Sequence, residues 1–237
     1  MPDLDKKIIV SADDFGQNPT ANANILELLL LRKLQRISVM IDGKFSPEEI
    51  HCLIDSQVKI DLHLDLFGLS KNSQALRKKT GVLSRLWVFF RDYLSGKIRV
   101  SEVEKDWVRQ LEKFRIIFGK YPDGLNSHEH IHFFPPYFKL ILTLAEKLGI
   151  NYLRLGKKDF VQTNSIVSWI IFYLRKINRR YFLASGLTSA DFLISLDWLQ
   201  KDSLKKINPS CGEIELIVHP ERMAELEFLK TQTILNF

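Results

Sequence analysis

The sequence predicts one α/β domain of 237 residues, a (β/α) barrel of irregular form built on about seven parallel strands. Three observations carry that expectation. Short runs rich in β-branched residues alternate with segments of helical periodicity along the chain, the rhythm of parallel βαβ units. Helix starts and stops are marked by capping residues, prolines and glycines. Of six histidines, all but His51 fall with an Asp-Asp pair at or just after the ends of expected strands, where parallel α/β folds assemble their sites.

Residues 7–12 (KIIVSA) read as a short buried strand that ends in Asp13-Asp14-Phe15-Gly16. Asn18 and Pro19 stand as N-cap and first helical residue, and the apolar spacing carries that helix over 21–34. A second strand is expected at 37–41. Ser46, Pro47 and Glu49 form an N-cap, an N1 proline and a capping-box acid, which start a helix running to about Ile54. Residues 58–64 (VKIDLHL) form the third strand, with His63 near its end. An insertion loop follows at about 65–99, irregular and basic, with a short aromatic helix expected around 87–93. Ser101 and Glu104 offer another capping box, and Val103, Trp107, Leu111 and Phe114 give the clearest helical spacing in the chain, ending at Gly119. Residues 125–134 (LNSHEHIHFF) precede a helix from Pro135 or Pro136 to Leu148, closed by Gly149, and a strand at 151–155. Beyond it, a helix is expected over 166–177, a segment of open type over 182–192, a helix near 195–206 and a last strand at 213–218 ending at His219. This alternation of strands and helices is that of an irregular TIM-like barrel.

Composition narrows the function classes. Hydrophobic residues make up 46% and charged residues 26%, ordinary for a globular chain with a substantial core. The net charge of +6 concentrates in two clusters, Arg77, Lys78 and Lys79 and then Arg175, Lys176, Arg179 and Arg180. Neither is interleaved with a nucleic-acid module, so both read as solvated surface and no nucleic-acid partner is expected. Cys52 and Cys211 are alone and far apart, which excludes a disulfide framework and a thiolate zinc site and fits a reducing compartment. The first residues carry no secretory signal pattern. The expected location is therefore cytoplasmic, peripheral to the inner face of the membrane on one reading of residues 166–180. That segment leads Trp169 and Tyr173 into the second basic cluster, and its apolar run is too short to span a bilayer. It fits a peripheral membrane helix, an ordinary buried helix, or the contact of a homodimer.

Chemistry collects at the strand ends. Asp13 and Asp14 present two carboxylates in different directions from one backbone, although Asp-Asp before Gly16 is also turn and capping chemistry. In an extended segment His128, His130 and His132 share one face, which points to a metal or a polar pocket, with buried hydrogen-bonded histidines as the alternative. His63 and His219 each sit at a strand end, the latter presented at the rim by Pro220. Arg154, at the end of another strand, suits holding Asp13 ionised, binding substrate or a structural ion pair.

Five segments in this order, IIVSADDFG (8–16), DLHLDL (61–66), SHEHIHFFPP (127–136), NYLRL (151–155) and ELIVHPE (215–221), resemble the carbohydrate deacetylases typified by chitooligosaccharide deacetylase and often called YdjC-like. The resemblance spans almost the whole chain and implies one deacetylase domain over 1–237. It implies Asp14, His63 and His128 as metal ligands and Asp13 as catalytic base. The chain departs from the pattern at Asn126, where the family usually has an aspartate, and residues 160–187 are unusually aromatic and basic, which sets a lipid-linked or otherwise hydrophobic glycoside beside the small chitooligosaccharides as an alternative substrate. The implied cofactor is a divalent ion, magnesium or zinc first, with cobalt, manganese or iron also suited to oxygen and imidazole ligands. The expected reaction removes acetyl from an N-acetylated sugar, with His219 as proton donor or oxyanion stabiliser and His130, His132, Arg154 and Asn126 binding substrate or supporting the site. Two other classes compete: a metal-dependent phosphoesterase, for which no glycine-rich phosphate cradle is present, and a non-catalytic relative that binds carbohydrate or membrane.

Overall fold

The computed structural model describes residues 8–66, 91, 98–158, 166–198 and 212–231. Its elements are β1 (Ile8–Phe15), α1 (Pro19–Leu30), β2 (Arg36–Val39), α2 (Pro47–Asp55), β3 (Lys59–Leu64), α3 (Val100–Phe118), β4 (Gly124–Ser127), a 3₁₀ segment (His128–Phe133), α4 (Pro135–Leu148), β5 (Tyr152–Leu153), α5 (Ile166–Ser185), β6 (Phe192–Ser195), a 3₁₀ turn (Leu196–Trp198), β7 (Ile214–Val218) and α6 (Met223–Thr231). The strands form one seven-stranded sheet in the order β5-β4-β3-β2-β1-β7-β6. All its pairings are parallel. Tyr152 also makes an isolated parallel bridge to Thr188, just ahead of β6. The sheet thus curls into a partial, irregular TIM-like barrel, with this bridge joining β5 to the segment that leads into β6.

Local chemistry explains most boundaries. Asn18 accepts from the Ala21 N–H (2.9 Å) at the start of α1, and the Ser46 and Glu49 capping box is complete at α2. Gly119 and Gly149 close α3 and α4 with φ of 72° and 67°. At α3 the expected cap is displaced. The helix begins at Val100, and Glu102 rather than Glu104 reaches back, to the Arg99 N–H. Of the helix expected near 195–206, the described part differs, since Ser195 ends β6 and Leu196–Trp198 form a 3₁₀ turn; the rest of it, within 199–211, lies outside the described residues. Most of the insertion at 65–99, including its aromatic helix except Arg91, lies outside them too.

The outer face of the sheet is apolar, with Ile37, Val39, Leu62, Leu125 and Leu216 buried in the main core. The inner face is polar instead. Arg36 holds Asp61 through Nε (2.8 Å) and Nη2 (2.5 Å) and lies over the Tyr152 ring at 3.8 Å. The Tyr152 hydroxyl donates to Glu215 (2.7 Å). Gly124 makes room for this layer: a Cβ there would lie 2.5 Å from Arg36 Nη2 and 2.7 Å from Asp61 Oδ1. Arg154 continues the network upward to the carboxyl ends of the strands, where the site lies.

Candidate active site

β1 delivers two carboxylates because it is irregular at its end. Its pairing with β2 shifts register between Ala12 and Phe15, and Asp14 adopts φ 69°, a left-handed conformation that aspartate tolerates better than most residues. The Gly16 N–H donates to Asn22 (2.7 Å), which anchors the turn to α1. Asp13 and Asp14 consequently face different partners, and both are buried.

Asp14 meets His63 from β3 and His128 from the end of β4. Its Oδ1 lies 3.2 Å from His63 Nε2 and 2.9 Å from His128 Nδ1. One ligand atom from each of the three residues falls within 4.8 Å of the others. His63 Nδ1 donates to the Asn126 amide oxygen (2.5 Å), and the Asn126 NH₂ donates to Ser38 Oγ (2.9 Å). With Nδ1 engaged by Asn126, Nε2 is the ring atom turned toward Asp14 Oδ1, 3.2 Å away. A second hydrogen bond that orients a ligating histidine is the usual companion of a metal site. The donor set therefore fits a divalent ion. Burial alone raises the Asp14 carboxyl, but His128 and His63 overcome it and hold the group well below its ordinary range.

Asp13 is gripped from the opposite side. Arg154, fully buried, donates through Nη1 to Oδ2 (2.6 Å) and through Nη2 to Oδ1 (2.9 Å), while its Nε donates to Glu215 (2.7 Å). Burial raises the Asp13 carboxyl, but the Arg154 charge, with His63 and His219, outweighs it, so the group stays ionised far below the usual carboxylate range. Arg154 stands behind Asp13, outside the lining of the cleft.

His219, at the end of β7, lines the same cleft. Burial lowers its pKa, but the Glu225 carboxylate and then Asp14 and Asp13 raise it from 6.5 to about 9. Its Nδ1 lies 3.8 Å from Glu225 Oε2, the distance of an ion pair, while its backbone N–H makes the true hydrogen bond to that oxygen (2.7 Å).

One expectation about the histidine run is corrected. Residues 128–133 are not extended: Glu129 and His130 take φ of 53° and 55°, so the three rings diverge. His128 turns to Asp14. His130 lines the cleft, stacked at 5.7 Å on Phe133, with a pKa held well below 6.5 by burial and then by the His132 and Arg154 charges. His132 turns inward, outside the cleft lining, donating from Nε2 to the Arg154 carbonyl (3.0 Å), with Nδ1 2.6 Å from Ser127 Oγ. It pins β4 to β5.

The cleft encloses about 890 Å³. Asp65, Lys44, Glu221 and Arg222 also line it, and none of the four was singled out from the sequence. Asp65 sits two residues beyond His63 in DLHLD, and Glu221 two beyond His219 in HPE, so the strand-end argument had it been carried two residues further would have reached both.

Three kinds of similarity bear on this geometry. Carbohydrate deacetylases of mouse and zebrafish are 24% and 26% identical over 63% and 65% of the chain, which spans 50% and 51% of their length. The Xenopus laevis carbohydrate deacetylase is 24% identical over 98% of the chain and 93% of its own length. A crystal structure from Enterococcus faecalis V583, provisionally named a cellobiose-phosphate cleavage protein, superposes over 97% of this chain and 92% of its own with a TM-score of 0.63 at 18% identity, a likeness of fold. The model of the YdjC-like protein family matches residues 7–234, and the chain belongs to that family.

Proposed function

We propose that the protein is a metal-dependent N-deacetylase that hydrolyses the acetamide of an N-acetylated sugar to acetate and a free amine, as a single domain over 1–237. The observation that carries this reading is the opposition of two acidic units in one cleft, Asp14 with His63 and His128, and Asp13 with Arg154. The names of the relatives supply the substrate class.

Asp14, His63 and His128 would hold the ion, zinc or magnesium, with two imidazoles favouring zinc. When bound, such an ion polarises the acetamide carbonyl and lowers the pKa of water toward about 7. Asp13 receives the proton of the attacking water. Both its oxygens already bond Arg154, but a carboxylate keeps further lone pairs, and Arg154 ensures that it is ionised whenever substrate arrives. As the tetrahedral carbon collapses and the C–N bond breaks, His219, charged at neutral pH, gives its proton to the departing nitrogen. His130, uncharged in the cleft wall, is available to bind the sugar. The two separated cysteines favour the cytoplasm as the setting. No helix among the described residues is long and apolar enough to cross a membrane.

Two substitutions separate the roles. Asp13→Asn is expected to retain metal by elemental analysis while acetate release falls by about 10²–10⁴; His128→Ala is expected to lose both. Full turnover by Asp13→Asn would remove it as the base.

A further inference from the structure

Helix α5 has one face that no other described element covers. Its inner side buries Ile171, Arg175, Asn178 and Phe182 and packs on α4 and the 3₁₀ segment. Its outer side exposes Trp169, Tyr173, Lys176, Ile177, Arg180 and Leu183 at the three-and-four spacing of one stripe, with Trp169 52% and Tyr173 63% accessible. Helices of globular proteins normally turn such residues inward.

The position of the stripe is set by three contacts. Asn178 Nδ2 donates to the Phe133 carbonyl (2.6 Å), level with the start of α4. Lys139 lies over the Tyr181 ring at 4.9 Å, one turn along α4. The Thr188 N–H donates to the Asn151 carbonyl (2.7 Å) at the amino end of β5. The helix therefore descends beside α4 from the catalytic end of the barrel. At ~1.5 Å per residue, Trp169 stands about 13 Å further along the axis than Asn178. The amino-terminal half of α5 therefore extends past the start of α4, toward the carboxyl end of the strands.

Charge identifies what the stripe faces. From 160 to 190 the chain carries Arg175, Lys176, Arg179 and Arg180 and no aspartate or glutamate. A second copy across a twofold axis would set Lys176 and Arg180 against their own kind. We propose that α5 docks the protein on an anionic lipid surface, Trp169 and Tyr173 entering the interface and Lys176 and Arg180 meeting headgroup phosphates. Because the amino-terminal half of α5 extends toward the end of the strands that carries the cleft, the substrate that such docking would suit is an N-acetylated sugar carried on a lipid. The docking stands on geometry and charge; the identity of the substrate rests on the deacetylase reading.

The test is flotation of the full chain with vesicles of phosphatidylcholine alone or mixed with phosphatidylglycerol. Wild type is expected to float with the mixed vesicles, to be released by salt, and to ignore the neutral ones. Lys176→Glu with Arg180→Glu should weaken binding more than about 25-fold, taking about fivefold per cation, and Trp169→Ala with Tyr173→Ala should also abolish flotation. Both variants should match wild type in thermal unfolding and in acetate release from a soluble N-acetylated sugar. Failure of wild type to float, equal flotation of the variants, or a dimer in light scattering that Tyr173→Arg dissociates would each overturn the docking. Flotation by a wild type that releases no acetate from soluble or lipid-borne sugars would retain the docking and overturn the deacetylase reading.

Discussion

Replacing Asn126 by alanine tests how a ligand is aimed. Its amide oxygen fixes the His63 ring with Nε2 toward Asp14, and loss of such a partner is expected to weaken metal binding by about 10–100-fold, read by chelator competition; unchanged affinity would show that the sheet alone orients His63. His219 makes a prediction about pH. Its pKa in the folded chain is raised from 6.5 to about 9, so the charged form that donates a proton is present at neutral pH and is lost as pH rises. An ion at Asp14 removes part of the carboxylate charge behind that shift, so turnover should show an alkaline limb between 6.5 and 9 that His219→Gln abolishes. The same sign governs stability: the His219 contribution is full below 6.5 and gone above 9. Asp13, Asp14, His63, His128 and His219 were legible as a set because strand ends show in the apolar runs. The divergence of His128, His130 and His132 was not, since it depends on left-handed backbone at Glu129 and His130, residues with no glycine to announce it.

At the scale of elements, the polar inner face of the sheet is the departure from an aliphatic barrel interior. It depends on Gly124, where a side chain would enter the Arg36 and Asp61 pair. Gly124→Ala is expected to destabilise by about 1–3 kcal/mol, measured by denaturant unfolding, whereas an unchanged midpoint would mean that the pair shifts freely. Caps made α1, α2 and α4 readable to within a few residues. β6 escaped because FLIS is too short for its period to distinguish strand from helix, and its place beside β7 depends on pairing over long range. α3 shows the limit of capping boxes: Ser101 and Glu104 match the pattern, but the helix starts earlier, at Val100.

Across the whole molecule, the curled sheet brings residues from β1, β3, β4 and the end of β7 to one cleft, and the ionic layer beneath links Glu215 through Arg154, beyond β5, to Asp13. The sequence order of the motifs was enough to place them at one end of the barrel, because parallel strands share a direction. Which of them touch was not, because Arg154 reaches Asp13 across the inside of the barrel, a closure that no local pattern records. The proposed chemistry is hydrolysis of an acetamide by an ion at Asp14, His63 and His128 together with a base at Asp13. The most direct measurement is acetate release from a panel of N-acetylated mono- and oligosaccharides and a lipid-carried N-acetylated sugar, with protein stripped of metal and then resupplied with zinc, magnesium, cobalt or manganese. The stripped protein is expected to release none and at least one ion to restore release; release that is indifferent to metal, or none from any substrate by protein that has rebound its ion, would rule this chemistry out.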